Sequence, residues 1–267
     1  MRLGDVVIEG VQDGASYMPR NFFGDLDSPA HDAMLTDDGR ATLPIASFVV
    51  RAGDTVTLLD AGLGPRSVEW TDPSGGHMVL EGGGLPAGLE ALGLTPADID
   101  IVLLSHLHGD HSGWVWQDGA PYFPNATIRF GRGDWDTFID GGVRGADAGA
   151  FRALADAGRI DLIDGDQYQV APSVTAMHTP GHTPGHQTYI VSSGDQRALF
   201  LGDALSCPLQ IEAPELNALA DMDQGKGIET RDRILREIDG DDLVGGPHFP
   251  GLRFGRVLVG SGKRYWS

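Results

Sequence analysis

The sequence of 267 residues contains a single cysteine, Cys207. An internal disulfide is therefore excluded. Long apolar runs are also missing: residues 45–50 form one of the longest and are interrupted by Ser47, whereas a membrane-spanning helix needs about 18 apolar residues. The first five residues lack the apolar stretch of a secretory signal. We therefore expect a soluble, cytoplasmic protein with no membrane contact.

Basic residues are scarce. The chain has 19 Lys and Arg against 38 Asp and Glu, a formal net charge of −19. Phosphate contacts require Lys and Arg, so this charge argues against a nucleic-acid partner and against an anionic membrane surface. Hydrophobic residues make up 41% and charged residues 21%, a globular composition. The expected partner is a small-molecule substrate, and the sequence leaves the oligomeric state, a homodimer included, open.

Glycine is abundant, with 39 residues, about twice its average share. Glycine adopts positive φ angles without penalty, so this density predicts many tight turns between short strands. Apolar and β-branched runs predict strands at 6–11, 45–51, 55–59, 101–104, 127–130, 174–177, 187–191, 198–201, 243–245 and 256–259. Helices are predicted at 86–92, 147–157 and 228–238. No linker divides the chain, so we predict one layered α/β domain over residues 1–267.

Two long segments look irregular, residues 24–40 and 72–84. Loops of this length are usually functional lids or disordered, and the sequence leaves open whether either covers a site. His31 and His77 lie in these segments, and we expect both at the surface.

Four potential metal ligands stand within six residues, directly after the apolar run 101–104: His106, His108, Asp110 and His111. On an extended chain His106 and His108 share one face, and the other two can converge beyond Gly109 from another direction. Histidine nitrogen and carboxylate oxygen bind zinc at about 2.0–2.2 Å. A lone histidine is more often only hydrogen-bonded, but four donors in one short loop favour a metal site.

Three further ligands are predicted near the ends of other strands. His182 lies in a turn rich in proline and glycine, Asp203 follows the run 198–201, and His248 follows the run 243–245. Layered α/β proteins gather their site residues at the carboxyl ends of strands. His178 and His186 flank His182 at four residues on either side, and we predict turn or supporting hydrogen bonds for them.

These residues resemble the metallo-β-lactamase fold superfamily, whose signature is His-x-His-x-Asp-His followed by three later ligands. The resemblance covers about residues 3–259, and Asp60 matches the family's early aspartate, which braces the metal loop. It implies a four-layer αββα sandwich, in the α/β (α+β) class, with a dinuclear site. One metal would take His106, His108 and His182; the other would take Asp110, His111 and His248, with Asp203 bridging.

The resemblance also implies a mechanism. Two metals about 3.5–4 Å apart can share a hydroxide, polarise the substrate oxygen and steady the leaving oxygen. Asp110 and Asp203 are the catalytic residues in this scheme, and Asp110 can also carry a proton to the leaving group. Zinc is the first choice for these donors, and manganese, iron and cobalt also suit them. A metal-free regulatory protein on the same fold is disfavoured, because all seven positions hold competent donors.

Several branches of the superfamily fit less well. The loop 105–111 looks like that of tRNA-processing nucleases, but the charge of −19 leaves nothing to hold tRNA. Secreted β-lactamases carry a signal peptide and commonly lack the aspartate bridge, and diiron oxygen reductases usually have Glu at the position of His108. Glutathione-thioester hydrolases (the glyoxalase II type) add a helical domain with basic contacts. They and the iron-dependent persulfide dioxygenases remain the alternatives.

The spacings are similar to those of acyl-homoserine-lactone hydrolases: 21 residues separate His182 from Asp203, and 45 separate Asp203 from His248. Those lactonases typically have Tyr three residues after the bridging Asp, where this chain has Ser206. The related organophosphate and aryl-ester hydrolases do not need that Tyr. We therefore predict a dinuclear-metal hydrolase acting on a small-molecule ester, lactone or phosphotriester.

Aromatic residues near the ligand loops predict an apolar substrate pocket. The candidates, with Ser206, are Phe22, Phe23, Trp114, Trp116 and Phe249. The alternative is that each of the aromatic side chains packs in the core, and for Trp116 the two interpretations are equally supported.

Overall fold

A computed structural model describes residues 1–24, 29–32, 34–71 and 76–267, without the side chains of residues 29 and 30. Its strands are β1 (Arg2–Leu3), β2 (Val6–Met18), β3 (Ala41–Ala52), β4 (Thr55–Leu59), β5 (Ser67–Thr71), β6 (His77–Glu81), β7 (Ile101–Leu103), β8 (Trp116–Gln117), β9 (Ala120–Pro121), β10 (Thr127–Gly131), β11 (Ile160–Ile163), β12 (Gln167–Ala171), β13 (Val174–His178), β14 (Gln187–Ser193), β15 (Gln196–Phe200), β16 (Leu243–Gly245), β17 (Gly255–Gly260) and β18 (Lys263–Trp266).

Short helices connect these strands. They are α1 (Pro29–Asp32), α2 (Leu85–Ala91), α3 (Gly109–Ser112), α4 (Arg132–Asp134), α5 (Ala148–Asp156), α6 (Pro208–Glu212) and α7 (Gln224–Glu237), with 3₁₀ turns at Pro96–Asp98 and Pro250–Leu252 and a π-helix at Trp135–Asp140. Among the residues described, no helix combines the length and apolar character needed to cross a membrane.

Two sheets carry most of the strands. The first has the order β11-β10-β7-β4-β3-β2-β6-β5, with β1 paired to β2. The second has the order β12-β13-β14-β15-β16-β17-β18. The strands β4, β7, β10 and β11 run parallel to their neighbours in this series, and β15 runs parallel to β16. Most other pairings are antiparallel hairpins, as the turn-rich sequence predicts.

The inner faces of the two sheets form one apolar layer. Phe48 and Leu103 of the first sheet pack in the same buried cluster as Tyr189 and Phe200 of the second, and the rings of Phe48 and Phe200 lie 5.5 Å apart. Burial of such side chains contributes about 1.5–3 kcal/mol each. The sandwich is therefore held together by facing apolar strands.

Helices cover the outer faces. Leu89 of α2 and Phe151 of α5 pack with residues of the first sheet, and Ile234 of α7 packs with residues of the second. Asp147 caps α5 by accepting hydrogen bonds from two backbone N–H groups of its first turn. The layers therefore run helix, sheet, sheet, helix, and the predicted four-layer α/β architecture is confirmed.

The predicted elements match the structure in type, but they differ in extent, and β5, β11, β12 and β18 have no predicted counterpart. The predicted strand 6–11 continues to Met18 as β2, with a register shift between Gln12 and Gly14. The segment 72–84 is predicted to be irregular, and this is wrong for His77–Glu81, which is strand β6 paired with β5. Residues 25–28, 33 and 72–75 of the two predicted loops lie outside the described residues.

Candidate metal centre

The seven predicted ligands come from segments that follow four strands of the two sheets. His106 and His108 lie beyond β7, and Asp110 and His111 lie in the short helix α3. His182 lies between β13 and β14, while Asp203 follows β15 and His248 follows β16. The structure brings their donor atoms together in three overlapping groups, in each of which all donors lie within 4.8 Å of one another: His106, His108 and His182; His106, His111 and Asp203; Asp110, His111 and His248.

The first group consists of imidazole nitrogens. Nδ1 of His108 lies 2.9 Å from Nε2 of His182. Nε2 of His106 is buried and has no hydrogen-bond partner among the described residues. The Nδ1–H of His182 donates to Oδ1 of Asp221 at 2.8 Å, so its Nε2 carries a lone pair. Nε2 of His106 therefore presents an unpartnered nitrogen beside the hydrogen-bonded pair of His108 and His182.

The group of Asp110, His111 and His248 combines two imidazole nitrogens with a carboxylate. Nε2 of His111 and Nε2 of His248 lie 3.3 Å apart. The Nδ1–H of His111 donates to Oδ2 of Asp60 at 2.7 Å, and the Nδ1–H of His248 donates to the carbonyl of Pro44 at 2.6 Å. In the neutral form of each ring the single N–H is then at Nδ1, and Nε2 carries a lone pair. Oδ2 of Asp110 lies 3.7 Å from each of them.

Asp203 stands between the group of His106, His108 and His182 and the pair of His111 and His248. Its Oδ2 lies 3.4 Å from Nε2 of His182. Its Oδ1 lies 3.3 Å from Nε2 of His248 and 3.7 Å from Nε2 of His111. One carboxylate oxygen thus faces each group, which is the arrangement that a bridging ligand requires.

Burial and the close approach of these groups shift the pKa values of the histidines. Burial, then the neighbouring histidines, lowers the pKa of His106 far below its usual value, and the same causes lower the pKa of His108 to about 3. Burial lowers the pKa of His111, but the carboxylates of Asp110, Asp60 and Asp203 outweigh it and raise that pKa to about 10. Converging lone pairs and carboxylates are the donor set that divalent metals use, and these residues fit such ions.

Two further aspartates hold the ligand loops. Asp60, in a left-handed turn with φ 57°, accepts from the backbone N–H of Ser105 at 2.6 Å and its hydroxyl at 2.9 Å. Asp134 accepts from the backbone N–H of Leu107 at 2.9 Å and that of Gly185 at 2.7 Å, and from the hydroxyl of Thr183 at 3.0 Å. Asp134 therefore joins the His106 loop to the His182 loop. Sequence reasoning missed it, since no local pattern distinguishes it from the chain's many acidic residues.

The remaining histidines take supporting or unrelated positions. Nε2 of His186 accepts the backbone N–H of Asp203 at 2.9 Å, and its Nδ1–H donates to the hydroxyl of Thr179 at 2.8 Å. His178 bonds the carbonyl of Pro184 at 2.9 Å. Both positions match the predicted supporting hydrogen bonds.

The expectation of a surface position is wrong for His31. Its side chain is buried, at 1% exposure, and its Nε2–H donates to the carbonyl of Arg20 at 2.9 Å. A histidine in a polar stretch can therefore still be enclosed when its ring bonds a backbone carbonyl. His77 is exposed as expected, although it begins strand β6.

The predicted pocket residues are mostly enclosed. Trp114 packs in the core outside the first sheet and donates its indole N–H to Oδ1 of Asp13 at 2.8 Å, and Trp116 packs at the margin of that core. Phe249 packs beyond the second sheet, and Phe22 and Phe23 belong to a separate buried cluster with Cys207. The hydroxyl of Ser206 is buried and has no hydrogen-bond partner within the described part of the chain. A substrate contact for any of them stays a prediction.

Residues 40–246, well over half of the chain, match the sequence model of the metallo-beta-lactamase superfamily. The chain belongs to this superfamily, and the predicted resemblance is confirmed.

Individual relatives are more distant. The chain is 29% identical over 173 residues to the lactamase-like protein aptB of Emericella nidulans, an alignment that covers 61% of this chain and 48% of that protein. It is 28% identical over 177 residues to an N-acyl homoserine lactonase of a Bacillus species, covering 63% of this chain and 66% of the relative. The chain thus spans about half the length of the first relative and just under two thirds of the second.

The fold is also that of solved hydrolases. The crystal structure of the hydrolase AbOPH in the beta lactamase superfamily matches with a TM-score of 0.81 and 24% identity, covering all of this chain and 95% of the other. At this identity the likeness concerns the fold alone.

Proposed function

We propose that this protein is a hydrolase that binds two divalent metal ions and acts on a small-molecule ester, lactone or phosphotriester. The observation that carries the proposal is the position of Asp203, whose two oxygens face the His182 group and the His111–His248 pair at 3.3–3.7 Å. One ion would be held by His106, His108 and His182. The second would be held by Asp110, His111 and His248, with Asp203 shared by both.

Two such ions, when bound, activate water at neutral pH and polarise the electrophilic oxygen of a substrate. The residues of the chain supply the rest. Asp110 retains 15% side-chain exposure, whereas His111 beside it retains 1%. Its carboxylate is therefore accessible from solvent, and it is the group placed to accept a proton and pass it to a leaving group.

The choice of substrate class is supported by the relatives and by Ser206. The relatives named above include a lactonase, and the hydrolase AbOPH shares the fold. Three residues after Asp203 the chain carries Ser206, whose short hydroxyl cannot replace a phenol. We propose that activated esters or phosphotriesters are turned over faster than homoserine lactones.

The test is a hydrolysis panel run on protein of measured metal content. Zinc, manganese, cobalt and iron are each supplied, and the substrates are an aryl ester, a phosphotriester, an acyl-homoserine lactone and a glutathione thioester. Metal-dependent turnover of an ester, lactone or phosphotriester supports the proposal. Turnover of the thioester alone would favour the thioesterase alternative, and the absence of metal-dependent hydrolysis on every substrate would refute the proposal.

A further inference from the structure

Asp221 is buried and touches a predicted ligand. Its Oδ1 accepts the Nδ1–H of His182 at 2.8 Å, and its Oδ2 accepts the backbone N–H of Ala218 at 3.1 Å. A carboxylate behind a metal-binding histidine fixes the ring tautomer and raises the basicity of the other nitrogen. Oδ1 of Asp221 therefore directs Nε2 of His182 toward the donor cluster.

A buried arginine completes this arrangement. Nη1 of Arg231, in α7, lies 3.3 Å from Oδ2 of Asp221, and both side chains are almost fully buried. The same guanidinium donates through Nε to the carbonyl of Pro214 at 2.7 Å and through Nη2 to Oδ1 of Asn217. A buried carboxylate is costly unless it is paired and hydrogen-bonded. Arg231 thus compensates the charge of Asp221 and fixes the segment that carries it.

The backbone of that segment is also tied to the His182 turn. The N–H of Met222 donates to the carbonyl of His182 at 3.1 Å, and the N–H of Asp223 donates to the carbonyl of Gly181 at 2.9 Å. His182 is consequently held through its ring and through its main chain by one segment, residues 213–223. The His111 ring is backed differently, by Asp60, whose Oδ2 accepts its Nδ1–H at 2.7 Å.

We infer that Asp221 and Arg231 are positioning residues that set the affinity of one metal position, the one formed by His106, His108 and His182, while leaving the other almost unchanged. The inference rests on the proposed two-metal function. The reason is that Arg231 contacts Asp221, and Asp221 contacts His182, which is a proposed ligand of that first position only. Asp203 is shared, so a small effect on the second position is expected.

The experiment is a titration of metal-free protein with Co²⁺ in competition with a chromophoric chelator, followed by the visible absorption spectrum of the bound cobalt. In Asp221→Asn, one carboxylate oxygen becomes an amide NH₂. That NH₂ faces a donor in either orientation, the His182 N–H or the donors of Ala218 and Arg231, so one hydrogen bond is lost. We expect one of the two cobalt ions to bind about 10–100-fold more weakly, with a changed spectrum for that ion only.

Asp242→Asn is the matched control. Asp242 is a buried carboxylate that accepts from Arg197 at 2.9 Å and from the backbone N–H of Asp239 at 2.8 Å, and it directly precedes β16, at the opposite end of that strand from His248. It should lower the thermal midpoint without altering either cobalt affinity. Arg231→Lys keeps a cation beside Asp221 and is the second variant if Asp221→Asn does not fold; a loss at one ion only is again expected.

Two results would overturn the inference. One is a folded Asp221→Asn, or a folded Arg231→Lys, that binds both cobalt ions as the wild type does. The other is an equal loss at both ions. A wild-type chain that binds fewer than two cobalt ions would refute the proposed two-metal function itself, so the two failures are distinguishable.

Discussion

The backbone N–H of Asp203 donates to Nε2 of His186 at 2.9 Å. This bond holds the main chain at the residue whose carboxylate faces both donor groups, and it requires that His186 keep its proton on Nδ1. Burial, then the neighbouring His182 ring, lowers the pKa of His186 well below its usual value, so the His186 ring stays neutral. His186 therefore supports the shared carboxylate without competing as a ligand.

Asp203→Ala should reduce activity more than His186→Ala. The first change removes an oxygen from each metal position, whereas the second removes one supporting contact, for which losses of about 10–100-fold are typical. The measurement is kcat/KM together with metal content for both variants. His178→Ala is the control, because that ring bonds the turn carbonyl of Pro184 and belongs to none of the three donor groups. Equal losses for Asp203→Ala and His186→Ala would contradict the shared role of Asp203.

Elemental analysis of metal-replete protein should give two ions per chain. Seven donors exceed what one tetrahedral ion can use, and Nε2 of His111 and Nε2 of His248 face each other at 3.3 Å with no proton between them in their neutral forms. His248→Ala should leave one tightly bound ion, and His77→Ala, which changes an exposed ring on β6, should leave two. One ion or fewer in the wild type would contradict the dinuclear assignment.

Ser206→Tyr should narrow the preference for activated substrates over lactones. A phenol can donate to a carbonyl that the Ser206 hydroxyl is too short to reach, and one such donor is worth about 2.7–4 kcal/mol of transition-state stabilisation. The ratio of kcat/KM for an aryl ester to kcat/KM for a homoserine lactone is the measurement. Ser206→Phe has a similar volume without the hydroxyl and should leave the lactone slow. If the wild type prefers the lactone tenfold or more, this prediction fails.

Asp134 should make the stability of the metal-free protein depend on pH. Burial raises its pKa to about 6, above the usual 3.8, although the bonds from Thr183, Gly185 and Leu107 oppose the shift. The folded state therefore binds the proton more tightly than the unfolded state. The stabilisation from this group is complete below about pH 3.8 and is lost as the pH rises through 6.

The measurement is the free energy of urea unfolding, with a chelator present, for the wild type and Asp134→Asn. The variant cannot titrate at this position, so its deficit relative to the wild type should be larger at pH 4.5 than at pH 7. A deficit that grows toward pH 7 would show that the three donors outweigh burial.

The candidate metal centre could be predicted because its donor residues carry local signals. Four donors follow one buried strand within six residues, and Asp203 and His248 each follow a short apolar run through a glycine. Metal coordination requires particular side chains, so a cluster of His and Asp residues itself indicates metal binding. The parallel pairing of β4 with β7 and of β15 with β16 then brings these strand ends together.

The sequence predicts the strand boundaries less well. The register shift between Gln12 and Gly14 breaks the alternation of β2, so only its first half gives a strand signal. In the hairpin of β5 and β6, Trp70 is half exposed and the apolar pattern has no consistent face. The side-chain pattern therefore gives little indication of this hairpin.

The sequence by itself determined the superfamily, the layered architecture and the donor set, since each depends on residue types at fixed local spacing. Only the tertiary structure decided which groups stand behind the donors. Asp221 lies 39 residues from His182, and Arg231 lies 10 residues further on. Carboxylates and guanidinium groups occur throughout an acidic chain, and any of them can accept or donate a hydrogen bond. Only the fold determines which of them are buried beside a donor residue.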